Sequence, residues 1–457
     1  MTDLFLYNTL SRGKEVFKPI KKGEVGLYTC GPTVYGFPHL GNMRTYIFED
    51  VLKRVLEFNN FQVNHVMNIT DVGHLTGDRD MGDDKIEKES KKEGKTAWEI
   101  AEFYAGAFKN DLLNLNIIFP NVFCKATDNI PEQIEMIKTL EKKGFTYKTT
   151  DGIYFDTSKV ADYTKLSHQK LEELKEGARV EANAEKKNAT DFALWKFSPT
   201  DTKRQMEWES PWGVGFPGWH IECSAMSVKY LGEQFDIHCG GVDHVDIHHT
   251  NEIAQTESAT GKKPWVNYWL HGAFMNIVGG KKMAKSAGNF ITVANTFTEK
   301  GLNPLAYRFA TLSVHYRKPM EWSDDIAISA NNGYQNLLKK ISNLGGEIGD
   351  INFEFKNKFL ENINDDLNMP KALATVQELL KSDLPDEDKL ATVIDFDKVL
   401  GLDFEKEINK IETKKEIPEN IQKLLDERKT ARENKDWKRA DELRDQIISL
   451  GFEVMDK

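Results

Sequence analysis

Two thiols, one imidazole and one carboxylate are the residues of this sequence with the most chemistry to offer. Cys30 ends an apolar run, Cys223 stands far downstream at the start of a helix-like segment, and His248 and Glu252 lie four apart where the pattern is again helical. Residues four apart project from one face of a helix, so His248 and Glu252 can share an ion. Sulfur and nitrogen donors with a carboxylate select zinc over magnesium or calcium. Without a Cys-x-x-Cys knuckle, such a centre has to be assembled from distant segments. Taken alone, a His and Glu at this spacing make an ordinary solvated ion pair; the metal reading rests on Cys30 and Cys223 converging on them.

A second group suits anions. His39-Leu40-Gly41-Asn42 precedes a helical run, and the start of a helix offers backbone N–H groups to a phosphate. Lys282 and Lys285 stand in a loop bracketed by Gly279, Gly280 and Gly288, from which they can close on the same phosphates. Separately, His39 is a turn histidine that caps its helix and the lysines are a solvated turn. Together they describe phosphate chemistry.

The elements that must position these residues are legible in the spacing. Val25 to Thr29 is an apolar, β-prone run that Gly31-Pro32 brings to a stop. From Met43, residues Ile47, Val51 and Val55 recur every fourth position, as do Phe48, Leu52 and Leu56, which predicts an amphipathic helix ending at Asn59-Asn60. Val63 to Ile69 is the next strand. Strand, loop, helix and strand form a βαβ unit whose loop lies at the carboxyl edge of a parallel sheet, where ligands bind. Gln234 to Glu252 repeats strand, glycine-rich turn and helix, and Tyr268 to Phe274 adds another strand edge. Between the halves, from about Phe119 to Asp201, a helix at Glu132 to Lys143, a hairpin from Gly144 to Asp156 and a Lys/Glu-rich run read as an inserted domain. The charged stretch from Gly77 to Lys95 reads as a surface loop or a flap. From Asn303 onward helical patterns dominate.

The motifs, taken in order, resemble those of a known family. His39-Leu-Gly-Asn42 and Lys282-Met-Ala-Lys285-Ser286 resemble the two signature motifs of class I aminoacyl-tRNA synthetases, with Asn42 for the last histidine of the first and Ala284 for the first serine of the second. Thr29-Cys30-Gly-Pro-Thr-Val-Tyr35, Trp219-His-Ile-Glu-Cys223-Ser-Ala-Met226 and His248-His-Thr-Asn-Glu252 look like the cysteinyl-tRNA synthetase family. The resemblance is strongest over residues 20–117 and 206–330. It implies one Zn2+ per chain held by Cys30, Cys223, His248 and Glu252, with Cys124 and Cys239 as packed thiols. It further implies His39, Lys282 and Lys285 in catalysis. ATP, with Mg2+, would be held by His39, Gly41, Asn42, Gly241, Asp243 and Lys285, and the amino acid by Thr70 and Trp219. L-cysteine, ATP and tRNA(Cys) are the implied partners, and the zinc would select the substrate thiolate. The segment after Gly240-Gly241 departs from the family pattern and adds His244 near the expected pocket.

The fold class implied is α/β: a Rossmann-like parallel-sheet catalytic domain split by an insertion, then a C-terminal α-helical bundle. The expected units are residues 1–117 and 206–302 for the catalytic halves, 118–205 for the insertion, 303–345 for a stem-contact linker and 346–457 for helices that read the anticodon. Length and composition agree: 457 residues, 40% hydrophobic and 29% charged, are enough for several globular units, and no apolar run reaches membrane-span length. The N-terminus has neither the basic start nor the apolar core of a signal peptide, so the expected location is the cytoplasm. A net charge of −11 excludes a surface coated for non-specific nucleic-acid binding but leaves room for local basic patches. Four cysteines in this length fit reduced thiols or metal ligands better than a disulfide framework. The family expectation is a monomer, and the sequence lacks the Trp/Arg-ending tail common in the family. A ligase joining activated cysteine to an amino sugar would share the zinc and nucleotide motifs but need no anticodon-reading helices. A zinc-stabilised RNA-binding protein without activity would need damaged phosphate motifs, and His39, Lys282 and Lys285 are all present.

Overall fold

The computed structural model describes residues 2–73, 84–169, 185–199, 203–279, 290–415, 419–434 and 436–450. Lys282 and Lys285 lie outside the described residues.

Five strands form one parallel sheet: β1 (Glu24–Thr29), β2 (Gln62–Ile69), β3 (Val122–Lys125), β4 (Phe235–Gly241) and β5 (Val266–Gly272). Their order is β5-β4-β1-β2-β3. The chain builds outward from β1 through β2 to β3, then returns to lay β4 on the other side of β1. That reversal opens a crevice beyond the carboxyl ends of β1 and β4, the usual ligand position in such sheets.

Helix α1 (Leu40–Phe58) crosses from β1 to β2, burying Met43, Ile47, Val51 and Val55. It begins at Leu40, directly after His39, where the reading of His39 as a helix cap puts its start. The reason is a cap: His39 accepts the Asn42 N–H while the Asn42 side chain accepts the His39 N–H. Next come α2 (Lys85–Glu93), within the stretch expected as loop or flap, and α3 (Ala97–Asn114). Helix α4 (Ile130–Lys142) packs on α5 (Trp219–Leu231), which leads into β4, and α6 (His248–Thr260) joins β4 to β5.

The insertion is placed differently from the sequence reading at both ends. The parallel sheet continues past residue 117 to β3, a four-residue edge strand too short to register as a pattern. The separate antiparallel sheet is made of Thr146–Lys148, Gly152–Phe155, Phe192–Phe197 and Gly215–Pro217, so it ends beyond residue 205, immediately before α5. Cys223 is therefore carried on a helix that starts where the inserted sheet stops.

Helices fill the C-terminal region, from Asp324–Ser342 through Phe353–Asn364, Met369–Lys381, Asp386–Leu400 and Phe404–Lys415 to a pair, Glu419–Glu433 and Trp437–Ser449. A buried charge cluster ties the helices to the sheet. Asp50 of α1 accepts from Arg54 (2.7 Å) and Arg308 (2.5 Å), and Arg308 also donates to the Leu400 carbonyl at 2.6 Å. Gly401 follows with φ +62°, and a Cβ there would stand 2.5 Å from the Arg308 guanidinium, so both conformation and space require glycine. Among the described residues no helix is long and apolar enough to cross a membrane.

Burial alone would raise the Asp50 carboxyl, but Arg308 and Arg54 outweigh it and hold it below its ordinary value. Its stabilising contribution is therefore present above the ordinary carboxylate range, near pH 4, and is lost as the pH falls below it. Arg308→Met leaves a fully buried carboxylate with one guanidinium and should cost about 3–5 kcal/mol in denaturant unfolding at pH 7, with the deficit narrowing as the pH falls and Asp50 takes up its proton. A loss below about 1 kcal/mol would mean that the cluster contributes little.

Candidate active site

A cavity of about 470 Å³ opens at the crevice between the ends of β1 and β4. Of the residues singled out in the sequence, Cys30, His39, Asn42, Thr70, Trp219, Cys223, Gly241, Asp243 and His248 line it. Gly41 sits in the first turn of α1, and Glu252 lies fully buried on α6.

The four candidate ligands come together. One donor atom each from Cys30, Cys223, His248 and Glu252 falls within 4.8 Å of the others, and all four residues are buried. Cys30 arrives from the end of β1, Cys223 from the second turn of α5, and His248 and Glu252 from one face of α6. His248 Nε2 approaches Glu252 Oε1 to 2.9 Å, yet the contact lacks hydrogen-bond geometry and leaves Oε1 buried without a partner. Two donor atoms this close, one of them without a hydrogen-bond partner, suit a shared cation. The imidazole is anchored from behind: His220 Nδ1 lies 3.0 Å from His248 Nδ1, which leaves Nε2 for a cation, and the Trp219 ring stacks on His248 at 4.2 Å.

Electrostatics agree with this geometry. Burial would lower His248, but Glu252 and Cys223 raise it to about 10. Burial would raise Glu252, but His248 and His238 hold it at about 2. A hydrogen bond from Cys30 lowers the Cys223 thiol. A carboxylate and an acidified thiol beside an imidazole are a donor set that could hold a divalent cation, whose entry would displace the protons.

Sequence reasoning missed the layer behind this group. His238 Nε2 lies 3.0 Å from Glu252 Oε2, and His249 Nε2 lies 3.3 Å from Cys30 Sγ. Cys30, His238, His249 and Glu252 form a second group whose donor atoms are equally close. Three members of the first group, Cys30, Cys223 and His248, line the cavity, against Cys30 alone of the second, so the first group is the better placed to take an external ligand. His249 continues through His271 (2.8 Å) to Thr9 (2.8 Å), in the turn of the N-terminal antiparallel strand pair Phe5–Asn8 and Gly13–Val16. Its signal in the sequence was the His248-His249 doublet, but a doublet says nothing about His271. Cys124 and Cys239 are buried and belong to neither group.

The phosphate side is narrower than the sequence implies. Leu40 N–H donates to the Ile291 carbonyl at 3.0 Å and Asn42 N–H to His39 Nδ1 at 3.1 Å, so these two groups of the helix start are engaged. Because Nδ1 accepts, the neutral His39 ring carries its proton on Nε2, and burial lowers its pKa, keeping it neutral at pH 7. The Asn42 side chain is spent on the same cap, accepting the His39 N–H at 3.2 Å. Thr70 is anchored by Glu222, whose Oε2 accepts its hydroxyl at 3.1 Å. At the β4 turn, a Cβ on Gly240 would meet His244 Nδ1 at 2.5 Å and one on Gly241 would meet Asp243 Oδ1 at 2.3 Å. The glycines thus let the Val242–His244 turn fold back over the crevice. His244 lines the cavity, with burial lowering its pKa to about 4.

Solved structures share this architecture. Methionyl-tRNA synthetase of Mycobacterium tuberculosis, in complex with methionyl-adenylate, superimposes with a TM-score of 0.55 at 16% identity, covering 83% of this chain and 90% of that one. A leucyl enzyme of Agrobacterium radiobacter, described as a LeuRS-tRNA-LeuAMS ternary complex, gives 0.57 at 11% identity over 86% and 85%. The fold is that of a class I aminoacyl-tRNA synthetase. Residues 16–332 match the tRNA synthetases class I (C) catalytic domain, and residues 414–457 the cysteinyl-tRNA ligase anticodon binding domain. The chain is 49% identical over 453 residues to cysteine--tRNA ligase 1 of Burkholderia lata, covering 99% of this chain and 95% of the relative, and 45% identical over 484 aligned positions to cysteine--tRNA ligase of Treponema denticola, covering 99% and 98%. It belongs to the cysteinyl-tRNA synthetase family.

Proposed function

We propose that the chain activates L-cysteine with ATP and transfers it to the 3′ end of tRNA(Cys). The observation that carries this reading is the sharing of one cavity by the sulfur-rich donor group and the His39-capped helix start. In the first step a carboxylate oxygen of cysteine bonds to the α-phosphorus of ATP, the bond to the bridging oxygen breaks, and pyrophosphate leaves. In the second, a ribose hydroxyl at the tRNA terminus takes the carbonyl carbon and AMP departs.

Each residue has a stated task. His39 Nε2–H donates to phosphate oxygens as charge builds on them, and its neutral state lets it do so without surrendering a proton. Gly241 and Asp243 hold the nucleotide's ribose at the β4 turn. Thr70, fixed by Glu222, and Trp219, stacked on His248, border the amino acid. Cys30, Cys223, His248 and Glu252 suit one Zn2+, because two thiols and an imidazole with a carboxylate match that ion and not Mg2+, which accompanies the triphosphate. When bound, zinc supplies a soft Lewis-acid centre that favours a thiolate over an alcohol. Lys282 and Lys285 are proposed, on their motif, to meet the phosphates from the opposite side. The match of residues 414–457 to an anticodon binding domain supports tRNA as acceptor over an amino sugar.

The test is cysteine-dependent pyrophosphate exchange into ATP, followed by charging of tRNA(Cys). Lys285→Ala should leave cysteine binding nearly intact and slow adenylate formation by roughly a hundredfold or more, as expected for a donor used in the transition state. Lost cysteine affinity at unchanged turnover would put Lys285 in a different role. Charging of an amino sugar instead of tRNA would replace the reading altogether.

A further inference from the structure

Around the mouth of the cavity the surface turns aromatic. Tyr35 and Phe37, from the turn between β1 and α1, line the cavity together with Tyr104 of α3, and Phe103 continues the same surface outward. Phe37 and Phe103 are 46% and 49% exposed. Phe37 meets Phe103 edge-on at 6.0 Å and Tyr104 at 5.1 Å, and Phe103 meets Tyr104 at 5.1 Å, so the rings form one ledge rather than scattered exposures. Lys95 Nζ stands 4.7 Å from the Phe103 ring centre and Lys85 Nζ 5.4 Å from that of Tyr35. The ledge is held firmly. A capping box between Thr96 and Glu99 starts α3, and the Tyr104 hydroxyl donates to Glu93 at 2.8 Å.

Exposed rings interleaved with cations bind single-stranded nucleic acid, because bases stack on the rings while the cations meet phosphates. Glu93 also pairs with Lys95 at 2.9 Å, so stacking rather than net charge is the main attraction here. We propose that this ledge receives the unpaired 3′ end of the tRNA on its way into the cavity. The inference rests on the aminoacylation reading above, in which a terminal ribose must pass the mouth to reach the activated carboxyl. ATP and an amino acid have no need of Phe103, which stands outside the cavity lining. An apolar protein partner would have to desolvate Lys85 and Lys95 and offer them nothing, whereas phosphates pair with them.

The test compares binding of a tRNA(Cys) transcript with the same transcript lacking its unpaired 3′ end. The wild-type protein should bind the full-length transcript about tenfold more tightly, Phe103→Ala should bind both alike, and Phe103→Trp should keep the preference. In catalysis, Phe103→Ala should lower kcat/KM for charging by about tenfold and leave cysteine-dependent pyrophosphate exchange within about twofold. A Phe103→Ala protein that keeps the full preference, or that loses exchange and charging in equal measure, overturns the proposal. The binding comparison needs no catalysis, so it tests the ledge even where exchange is absent, an absence that counts against the activity reading instead.

Discussion

If Cys30, Cys223, His248 and Glu252 hold zinc as proposed, Cys223→Ser should lower metal affinity and cysteine activation together, each by more than about a hundredfold. The magnitude follows from position: partners one layer behind a metal typically account for ten- to hundredfold in affinity, and Cys223 supplies a donor atom directly. It is also the thiol whose pKa is lowered, so it is the sulfur most readily deprotonated on metal entry. The comparison that gives the experiment its force is Cys239→Ser. Cys239 is buried on β4 within the apolar core and belongs to neither donor group, so that substitution should leave metal content and exchange rate unchanged. Metal content by elemental analysis and pyrophosphate exchange are measured on the same preparations. Zinc retained in Cys223→Ser, or lost in Cys239→Ser, would show the donor set to be wrong.

The second large effect is selectivity. Serine differs from cysteine by one atom in nearly the same shape, and ordinary contacts separate such pairs by only about a hundredfold. A soft donor centre that favours a thiol by a few kcal/mol exceeds a thousandfold, since roughly 1.4 kcal/mol is tenfold. Discrimination should therefore appear in activation itself, without a separate hydrolytic site. Glu252→Gln should erode activation and selectivity together, because it weakens the donor set and disturbs the His238 contact behind it. The measurement is pyrophosphate exchange with each amino acid, then ATP consumption in the presence of serine and tRNA. Brisk serine activation with futile ATP turnover would reveal a proofreading step and remove the donor group as sole selector.

Much of the site was legible because its residues are chemically rare and locally patterned. The four-residue spacing of His248 and Glu252 guarantees a shared helix face wherever the helix lies, and the glycine-proline turn after Thr29 puts Cys30 at a strand's carboxyl end. Apolar periodicity located α1 and the strands on either side of it for the same reason: burial of one face dictates the repeat. What failed was short or reciprocal. β3 has only four residues, and its place at the sheet edge is decided by pairing with β2, not by its own composition. The cap by His39 was legible, but its reciprocal half, the Asn42 side chain accepting the His39 N–H, was not.

The sequence alone determined the donor types, the βαβ halves and the helix face shared by His248 and Glu252, since each follows from chemistry or from local periodicity. Only the tertiary structure decided that Cys30 and Cys223 meet that face, because strand order β5-β4-β1-β2-β3 sets β4 and its helix beside β1 and no local rule specifies that order. It also decided that three members of one donor group line the cavity against one of the other, and that His238, His249 and His271 stand behind them. Those are contacts between residues on different elements, and they exist only once apolar burial has packed the elements together.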